Sequence, residues 1–449
     1  MLSEIFKAYD VRGIYNKTIT EDVCYKIGRA FVHFLKCKDV IVGTDMRLSS
    51  PKLSKFFMKG VTEQGANAIF IGEVCTDGVY FASGFLKKPA VMFTASHNPK
   101  DYNGLKFCKA DAVPMNENTG LKQIKSIIEN DDFKKIKIKK SGKIIKKDIL
   151  KEYVKHVRNF INVKKLRKLK IAVDAGNGMA GKMIPLVYKN TPITIAPLYF
   201  KLDGNFPNHP ADPSKYENLI QLQKTVKEKK CGFGMAFDGD ADRIFFIDEN
   251  GEVINSSLIS SLIIKNLLQK KKGNKVIYNL VCSKMVPETI IKYGGAPIIE
   301  RVGHSFIKDT MRKTNAIFAC EHSAHYYYKE NYRADSGIIS SLIVAEIVSK
   351  ENRPLSNLLN EFKKYHKIEE TNAKVKDKEA KMNEVEATYR KQSPKKVLRL
   401  DGLTVEFKNW WFNIRPSNTE PLLRLNLEAD SEELMEKKKK EVIGLLQQP

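Results

Sequence analysis

The sequence predicts an α/β protein with three α/β units and a smaller α+β unit at its carboxyl end. The chain has 449 residues, more than one hydrophobic core usually supports. Short apolar strands alternate with helical segments over most of its length, which is typical of sheets covered by helices. Polar motifs follow several of these strands, at the sheet edge where α/β proteins commonly bind ligands. Together these observations predict a multidomain α/β architecture.

The first unit is predicted over residues 1–147. Its predicted elements are helices at 21–35 and 53–64 and strands at 40–42, 68–71 and 90–93. The last of these strands places Ser96 on the loop just past its carboxyl end. The basic stretch 134–147 alternates lysine with isoleucine around Ser141 and Gly142, which predicts an exposed β-hairpin between domains.

The remaining units are predicted over residues 148–252, 253–365 and 366–449, the last being α+β. The second unit has a predicted helix at 146–160 and strands at 169–174, 232–237 and 244–248. The third has predicted helices at 258–268 and 337–348 and strands near Val276 and Ala316. The fourth has a charged segment at 374–391, a hairpin around Gly402, a strand at 422–427 and a helix from Ser431.

The composition predicts a soluble cytoplasmic protein. Hydrophobic residues make up 42% of the chain and charged residues 29%, which is ordinary for a globular protein. No apolar run is long enough for a signal peptide or a membrane span, so we expect no membrane association. The seven cysteines are scattered without a Cys-x-x-Cys pair, which predicts free thiols and argues against disulfides and structural zinc.

The net charge of +25 has two interpretations. Clustered lysine and arginine can bind the phosphates of nucleic acid, or they can attract an anionic substrate to an enzyme. No aromatic residues interleave with the basic stretch 134–147 to stack on bases, and neither helix-turn-helix nor zinc-finger spacing occurs. We therefore expect small anionic substrates and no nucleic-acid partner.

Three carboxylates follow the strand at 232–237. Asp238, Asp240 and Asp242 alternate, so one side of a slightly curled segment can present all three to a single ion. A helix–loop–helix calcium site would need a glutamate where Asn250 stands, which argues against such a site. An aspartyl-phosphate nucleophile is a further alternative, but it leaves the serine loop unexplained. The pattern favours Mg²⁺ bound by the three aspartates together with a phosphate.

The loop 94–99 places Ser96 beside His97, Asn98 and Pro99. Taken alone, such a serine is most often an ordinary helix cap. A serine that carries phosphate needs a divalent cation to neutralise it, and the acidic loop supplies ligands for one. The two motifs together predict phosphoryl transfer through a phosphoserine at Ser96.

Two further motifs suit a phosphorylated sugar. Residues 415–421 combine an arginine with hydroxyl, amide and backbone donors in one turn, as a phosphate dianion requires. The alternative for this stretch is a surface turn bounded by prolines. Residues 321–325 bring Glu321, Ser323 and His325 onto a short loop, which suits sugar hydroxyls and proton transfer. A lone histidine in such a loop is more often structural.

In combination, these motifs resemble the α-D-phosphohexomutase family, and most closely its phosphomannomutase/phosphoglucomutase branch. The resemblance covers nearly the whole chain, with motifs in the family's order at 6–13, 94–99, 103–106, 174–178, 203–210, 238–243, 302–304, 321–325 and 415–421. It implies four domains around a central cleft. Three would be similar α/β domains with mixed sheets, and the last a smaller α+β domain.

The resemblance also implies a role for each matching residue. The metal site would consist of the phosphoserine Ser96 with Asp238, Asp240 and Asp242. The catalytic residues would be Ser96, Lys106, Arg243, His325 and Arg12, with the base left open between Lys106 and His325. The substrate-binding residues would be Tyr9, Arg47, His304, Glu321, Ser323, Arg415, Ser417, Asn418 and Thr419, the last four holding the phosphate that does not react.

The implied activity is the reversible conversion of mannose 6-phosphate to mannose 1-phosphate, with Mg²⁺ as cofactor and a hexose 1,6-bisphosphate as intermediate and primer. The resemblance leaves glucose phosphates open as further substrates. We expect sugar phosphates as partners and a monomer or homodimer. Phosphoglucosamine mutase activity and a catalytically idle sugar-phosphate-binding protein are the alternatives. The chain departs from the family pattern at Cys320 and Ala324, which replace two glycines, and at Val281, where dual-specificity members carry a basic residue.

Overall fold

A computed structural model describes residues 2–135, 137–417 and 422–447. It divides into two compact units. Unit one consists of the residues up to 256 together with 308–318 and 323–358. Unit two consists of residues 257–307, 319–322 and those from 359 onwards.

The elements of the described residues are numbered in chain order. The helices are α1 Leu2–Ile5, α2 Glu21–Leu35, α3 Ser50–Glu63, α4 Thr76–Leu86, α5 Lys122–Glu129, α6 Leu150–Arg158, α7 Ala180–Tyr188, α8 Ile220–Glu228, α9 Ser256–Lys270, α10 Met285–Lys292, α11 His304–Thr314, α12 Gly337–Glu351, α13 Leu355–Leu359, α14 Lys378–Arg390 and α15 Glu432–Gln447. The strands are β1 Val11–Ile14, β2 Asp39–Thr44, β3 Asn67–Glu73, β4 Ala90–Phe93, β5 Tyr102–Lys109, β6 Val113–Pro114, β7 Ile144–Lys146, β8 Leu169–Asp174, β9 Ile193–Leu198, β10 Phe233–Phe237, β11 Ile244–Asp248, β12 Val253–Ile254, β13 Lys275–Asn279, β14 Ala296–Glu300, β15 Phe318–Cys320, β16 Tyr326–Tyr328, β17 His366–Lys367, β18 Thr371–Lys374, β19 Lys396–Leu398, β20 Leu403–Glu406, β21 Trp410–Pro416 and β22 Leu422–Ala429.

Unit one contains two mixed sheets. The first has the strand order β1-β5-β4-β2-β3-β7, with β6 beside β5. Its strands β4, β2, β3 and β7 are parallel, and β5 pairs antiparallel with β4, β1 and β6. The second sheet has the order β12-β11-β10-β8-β9, in which β10, β8 and β9 are parallel and β11 pairs antiparallel with β10 and β12. Both sheets confirm the α/β class that the alternation of elements predicts.

Helices α2 and α3 cross at two glycines as they pack on the first sheet. A Cβ on Gly28 would lie 2.3 Å from the carbonyl oxygen of Phe57, and one on Gly60 would lie 2.1 Å from that of Tyr25. Glycine is needed at both positions because any side chain would force the two backbones apart. The close crossing lets the buried rings of Phe31 and Phe57 approach to 6.3 Å in the hydrophobic core.

Unit two contains the parallel pair β13 and β14 and an antiparallel sheet near the carboxyl end. That sheet has the order β17-β22-β21-β20-β19, with β18 beside β22. One face is apolar and packs on α14 and α15, with Phe412 and Leu425 fully buried. The opposite face is polar, because alternate residues such as Asn413, Arg415 and Asn426 lie on it. This arrangement of helices on one face of an antiparallel sheet is the predicted α+β unit.

The hairpin predicted at 134–147 is wrong. Among the described residues of this stretch the only strand is β7, which pairs in parallel with β3. The N–H of Gly142 donates to the carbonyl oxygen of Thr62, and that of Lys143 donates to Oδ1 of Asn67. The hydrogen bonds of the segment therefore go to the first sheet and its helix, and not to a hairpin partner.

Other differences are smaller. Helix α6 begins at Leu150 rather than near residue 146, because Lys146 belongs to β7. The sequence predicts Arg415 within a turn, but the residue lies on β21, a strand absent from the sequence prediction. All seven cysteines are free, as predicted. In the described part of the chain, no helix combines the length and the apolar character that crossing a membrane requires.

Candidate active site

The serine loop follows β4 and has an unusual backbone conformation. Ser96 has a φ of +51°, in the left-handed region that residues other than glycine rarely adopt. Its N–H donates to Oγ1 of Thr94 (2.9 Å), and its hydroxyl donates to Oδ2 of Asp238 (2.6 Å). The hydroxyl oxygen also lies 3.2 Å from Nδ1 of His97. Backbone conformations of this kind concentrate at functional sites, where the surroundings hold them in place.

Arg47 is almost fully buried and contacts the serine loop. Its two terminal nitrogens donate to four carbonyl oxygens, those of Ser96, Asn98, Pro99 and Tyr102, at 2.8, 2.6, 2.8 and 2.9 Å. A planar guanidinium can serve several acceptors in fixed geometry, which an ammonium cannot. The structure thus places this predicted substrate-binding residue where it holds the loop.

Arg12 lies on β1 beside the same loop. Its Nη1 donates to Oδ1 of Asn98 (2.6 Å), and its Nη2 donates to Asp10. Its buried Nε has no hydrogen-bond partner among the described residues. Burial opposes the charge of the guanidinium, but the carboxylate of Asp10 and the nearby Tyr9 outweigh burial and raise the pKa of Arg12.

The acidic loop joins β10 to β11. Asp238, Asp240 and Asp242 are each at most 2% exposed, and one oxygen from each lies within 4.8 Å of the others. Ala241, with a φ of +60°, curls the loop so that the alternating carboxylates meet. Oδ1 of Asp240 and Oδ1 of Asp242 are buried and have no hydrogen-bond partner in the described structure. Buried carboxylate oxygens are costly without partners, and a hard divalent cation fits this donor set.

Burial and the charges of neighbouring groups shift the pKa values of two of these carboxyl groups. Burial, followed by the charges of Asp242 and Asp240, raises the pKa of Asp238 to about 7. Burial also acts to raise the pKa of Asp240, but the ammonium of Lys106 outweighs it, and that pKa is lowered. Neighbouring carboxyl groups whose pKa values are driven apart are typical of functional sites.

Two cationic side chains, those of Lys106 and Arg243, offset the negative charge of the three carboxylates. Nζ of Lys106 lies 2.7 Å from Oδ2 of Asp240 and 2.6 Å from Oδ2 of Asp242. Arg243 donates from its backbone N–H and its Nε to the two oxygens of Asp238, at 3.1 Å each. Nη2 of Arg243 is buried and has no hydrogen-bond partner among the described residues. A fixed guanidinium with an unused donor is suited to a phosphate oxygen.

His325 adjoins the acidic loop through a backbone bridge to Arg243. Its Nδ1 lies 2.8 Å from Oδ2 of Asp335, and Nδ1 is the donor because a carboxylate only accepts. The other oxygen of Asp335 lies 2.7 Å from Nζ of Lys308, and both side chains are almost fully buried. This buried ion pair holds the imidazole in one orientation.

In unit two, Glu321 is the buried residue of the predicted sugar loop. Its Oε2 accepts hydrogen bonds from Nδ2 of Asn279 and from the N–H of Gly303, both at 3.2 Å. His304 comes next in the chain and begins α11. Ser323, two residues beyond Glu321, belongs to unit one. The structure therefore brings the predicted motifs at 302–304 and 321 together.

Arg415 lies near the end of β21, and its Nη2 is 3.1 Å from Oε2 of Glu370. The other oxygen of Glu370 is 3.1 Å from Nη1 of Arg424. Ser417 follows β21 and is buried. The predicted ligands Asn418 and Thr419 lie outside the described residues.

Sequence reasoning missed three residues of these arrangements. The hydroxyl of Thr76 donates to Oδ2 of Asp240 at 2.6 Å. Thr76 follows β3 at the same sheet edge as Ser96, and this position is a signal that could have identified it. Asp335 and Lys308 lie in no recognisable motif, and only the folded chain brings them to His325.

Family models for phosphoglucomutase/phosphomannomutase match nearly the whole chain. The models of α/β/α domains I, II and III match residues 3–135, 151–251 and 255–365, and the C-terminal domain model matches 370–445.

Curated relatives match the chain over nearly its whole length. Phosphomannomutase of Methanocaldococcus jannaschii is 38% identical over 447 residues, which cover 98% of this chain and 97% of that protein. Phosphomannomutase of Escherichia coli K12 is 35% identical over 449 residues, 98% of each chain. The crystal structure of a phosphoglucomutase/phosphomannomutase family protein from Burkholderia thailandensis has a TM-score of 0.90 at 30% identity and covers 99% of this chain and 98% of that one.

The four matched domains and the full-length relatives define the class of this protein as an enzyme, an intramolecular phosphotransferase. The chain belongs to the phosphoglucomutase/phosphomannomutase family of α-D-phosphohexomutases, which confirms the resemblance seen in its sequence.

Proposed function

We propose that the chain converts mannose 6-phosphate to mannose 1-phosphate and back, through a phosphoserine at Ser96 and a hexose 1,6-bisphosphate. One observation carries this proposal. The hydroxyl of Ser96 donates to Asp238 within a buried group of three carboxylates. A phosphate on that hydroxyl would bind a divalent cation together with the carboxylates. This shared cation would explain why three carboxylates surround the serine. Two curated relatives named phosphomannomutase, at 38% and 35% identity, support mannose as the sugar.

The proposed metal ligands are Ser96, through its phosphate, and Asp238, Asp240 and Asp242. Their hard oxygen atoms suit Mg²⁺, and the buried Oδ1 atoms of Asp240 and Asp242 without hydrogen-bond partners support its placement there. When bound, Mg²⁺ would neutralise phosphate charge and so favour attack at phosphorus.

The proposed reaction begins with transfer from the serine. The bond between Oγ of Ser96 and phosphorus breaks as the free hydroxyl of a hexose monophosphate bonds to that phosphorus, and a base takes the hydroxyl proton. Lys106 and His325 are the two candidate bases, and both adjoin Asp242. The bisphosphate then returns its other phosphate to Ser96. A hexose 1,6-bisphosphate from solution would prime enzyme that has lost its phosphate.

Three buried cations are proposed to stabilise the transferring group. Arg243, Lys106 and Arg12 would offset the charge that spreads over its equatorial oxygens, so that catalysis comes mainly from placement and electrostatics. The buried Nη2 of Arg243 and Nε of Arg12, which have no hydrogen-bond partners in the described structure, support this role. Arg47 would contribute by holding the serine loop.

The remaining residues are proposed to bind the sugar phosphate. Glu321, Ser323 and His304 would contact the sugar hydroxyls, with Tyr9 near the transferring group. Arg415, Ser417, Asn418 and Thr419 would hold the phosphate that does not react. Such a phosphate site would accept the hexose in either orientation.

We also propose domain boundaries at 147/148, 252/253 and 365/366, which the matched family ranges support.

Ser96→Ala tests the covalent role. After incubation with mannose 1,6-bisphosphate and Mg²⁺, the parent chain should carry one phosphate by intact mass and the variant none. Mutase turnover should fall about 10³-fold or more in the variant, because the group that accepts phosphate is gone. Ser126→Ala, at an exposed position on α5, is the matched control and should keep the parent rate. Near-normal turnover in Ser96→Ala would refute the phosphoserine mechanism.

Rates on mannose, glucose and glucosamine 1-phosphates test the substrate. We expect the highest kcat/KM on mannose 1-phosphate. A higher value on glucosamine 1-phosphate would replace the proposal with phosphoglucosamine mutase activity. A chain with no turnover on any of the three and no transferable phosphate would be an idle sugar-phosphate-binding protein.

A further inference from the structure

The polar face of the carboxyl-terminal sheet carries an ammonium group that the proposed function does not use. Lys367 lies on β17, opposite Glu428 of β22. Arg415 lies on β21, opposite Arg424 of the same strand β22. Residues 424 and 428 are an even number of positions apart, so their side chains lie on the same face. Lys367 and Arg415 therefore share one face of the sheet.

In the described part of the chain, no carboxylate forms an ion pair with Lys367. Its Nζ donates to the carbonyl oxygen of Val281 and lies 5.8 Å from the ring centre of Trp411. Within the described residues it forms no ion pair. An ammonium group has three donors, and burying its charge is costly unless an anion compensates it. Burial accordingly lowers the pKa of Lys367, although the charge of Glu428 opposes this change.

Lys367 shares this region with two arginines, Arg415 and Arg424, and with the carboxylates of Glu370 and Glu428, whose charges act on it. Arg415 and Arg424 share one carboxylate, that of Glu370. Burial, and then the charges of Lys367 and Arg415, lower the pKa of His322 well below its ordinary value. Both cations therefore act on the same imidazole. Among the described residues, Arg415 and Arg424 form ion pairs with Glu370, whereas Lys367 forms none.

The same region adjoins the predicted sugar loop within unit two. Val281 comes two residues after Asn279, whose amide donates to Glu321. The N–H of Lys284 donates to Oε1 of Glu428 at 2.9 Å, which fixes this loop against the sheet. Lys367 thus extends from the sheet that carries Arg415 to the loop that holds Glu321.

We propose that Lys367 is a further ligand of the substrate phosphate that does not react, acting beside Arg415. This inference rests on the proposed function of the Arg415 region as a phosphate site. The ammonium uses one donor on Val281, and a phosphate dianion would accept from the others. The alternative is a structural contact that only ties the sheet to the loop.

The test compares two substitutions of Lys367. Lys367→Met removes both the charge and the hydrogen bond to Val281, whereas Lys367→Gln removes the charge but keeps a donor for Val281. The probe is 1,5-anhydromannitol 6-phosphate, which lacks the 1-hydroxyl and cannot be isomerised, and its binding is measured by calorimetry. We expect both variants to bind it about 10- to 100-fold more weakly, as loss of a charge-assisted hydrogen bond predicts. Lys376→Met, at an exposed position, is the control and should keep the parent affinity.

The outcomes are distinguishable. Parent affinity in Lys367→Gln overturns the proposal, and if Lys367→Met alone is weakened, the contact is only structural. Mutase turnover of the parent chain reports separately on the proposed function. A parent chain that binds the probe but does not isomerise mannose phosphates refutes the proposed function and leaves the comparison at Lys367 valid. A parent chain that does not bind the probe refutes both.

Discussion

Arg47 donates a 2.8 Å hydrogen bond to the carbonyl oxygen of Ser96, 49 positions further along the chain. Ser96 itself has a φ of +51°, which residues other than glycine adopt only when their surroundings impose it. Arg47 also donates to the carbonyl oxygens of Asn98 and Pro99 in the same loop and to that of Tyr102, the first residue of β5. The conformation of the proposed phosphate carrier is therefore stabilised by a buried cation outside its own motif.

Arg47→Lys should lower both the stability of the protein and its rate of turnover, because it weakens the hold on the serine loop. An ammonium group has three donors without the planar geometry of arginine, so it cannot serve all four carbonyl oxygens. We expect kcat to fall about 10- to 100-fold and the free energy of unfolding to fall by about 2 kcal/mol. Mutase assays and urea unfolding measure the two effects.

Arg158→Lys is the matched control for this substitution. Arg158 also donates to backbone carbonyl oxygens, those of Val187 and Lys189, but it does not touch the serine loop. The Arg158→Lys variant should have a lower free energy of unfolding than the parent chain and the same kcat. Equal losses of kcat in the two variants would show that Arg47 has no particular link to Ser96.

Asp240→Asn should weaken Mg²⁺ binding about 100-fold, because the site loses one of its charged oxygen ligands. Calorimetric titration of the chain with MgCl₂ measures this affinity. Asp248→Asn is the control, since Asp248 is buried in the same domain but its carboxylate accepts from the N–H groups of Asn250 and Glu252, away from the acidic loop. If Asp240→Asn binds Mg²⁺ as tightly as the parent, the proposed metal site is wrong.

Asp335→Asn should lower kcat about 10-fold with little change in KM, because Asp335 orients His325 without a proposed contact to the sugar. A double-mutant cycle separates this effect from general damage. If Asp335 acts through the imidazole, adding Asp335→Asn to His325→Gln should lower kcat little further. Independent, additive losses would mean that the pair does not act as a unit.

Asp77 should make stability depend on pH. Burial raises its pKa from 3.8 to about 6, and its carboxylate accepts a 2.9 Å hydrogen bond from the hydroxyl of Tyr153. Because the pKa is higher in the folded state, the stability this group contributes is fully present below about pH 4 and is lost as the pH rises through about 6. Across that window the parent should lose about 3 kcal/mol relative to Asp77→Asn, whose amide does not titrate.

Urea unfolding at several pH values between 4 and 7.5 measures the effect of Asp77. The exposed Asp309 is the control, and Asp309→Asn should follow the pH dependence of the parent. Parallel curves for the parent and Asp77→Asn would contradict an elevated pKa at Asp77.

Much of the fold was predictable because its signals are local. The helix predicted at 21–35 has the same bounds in the structure, and the strand predicted at 169–174 is β8. The hairpin at 134–147 failed because alternating lysine and isoleucine suits any exposed strand. Its actual partner, β3, lies far earlier in the chain, where Ala68 pairs with Ile144.

The order of residues along the chain is enough to identify the side chains available for phosphoryl chemistry. A serine just past a strand and three alternating aspartates can be recognised along the chain, because strand periodicity and side-chain chemistry are local properties. The folded chain is needed to show which distant side chains act on them: Arg47 holds the loop of Ser96, and Asp335 orients His325. Such contacts depend on how separate strands and helices pack, and local patterns in the sequence do not encode that packing.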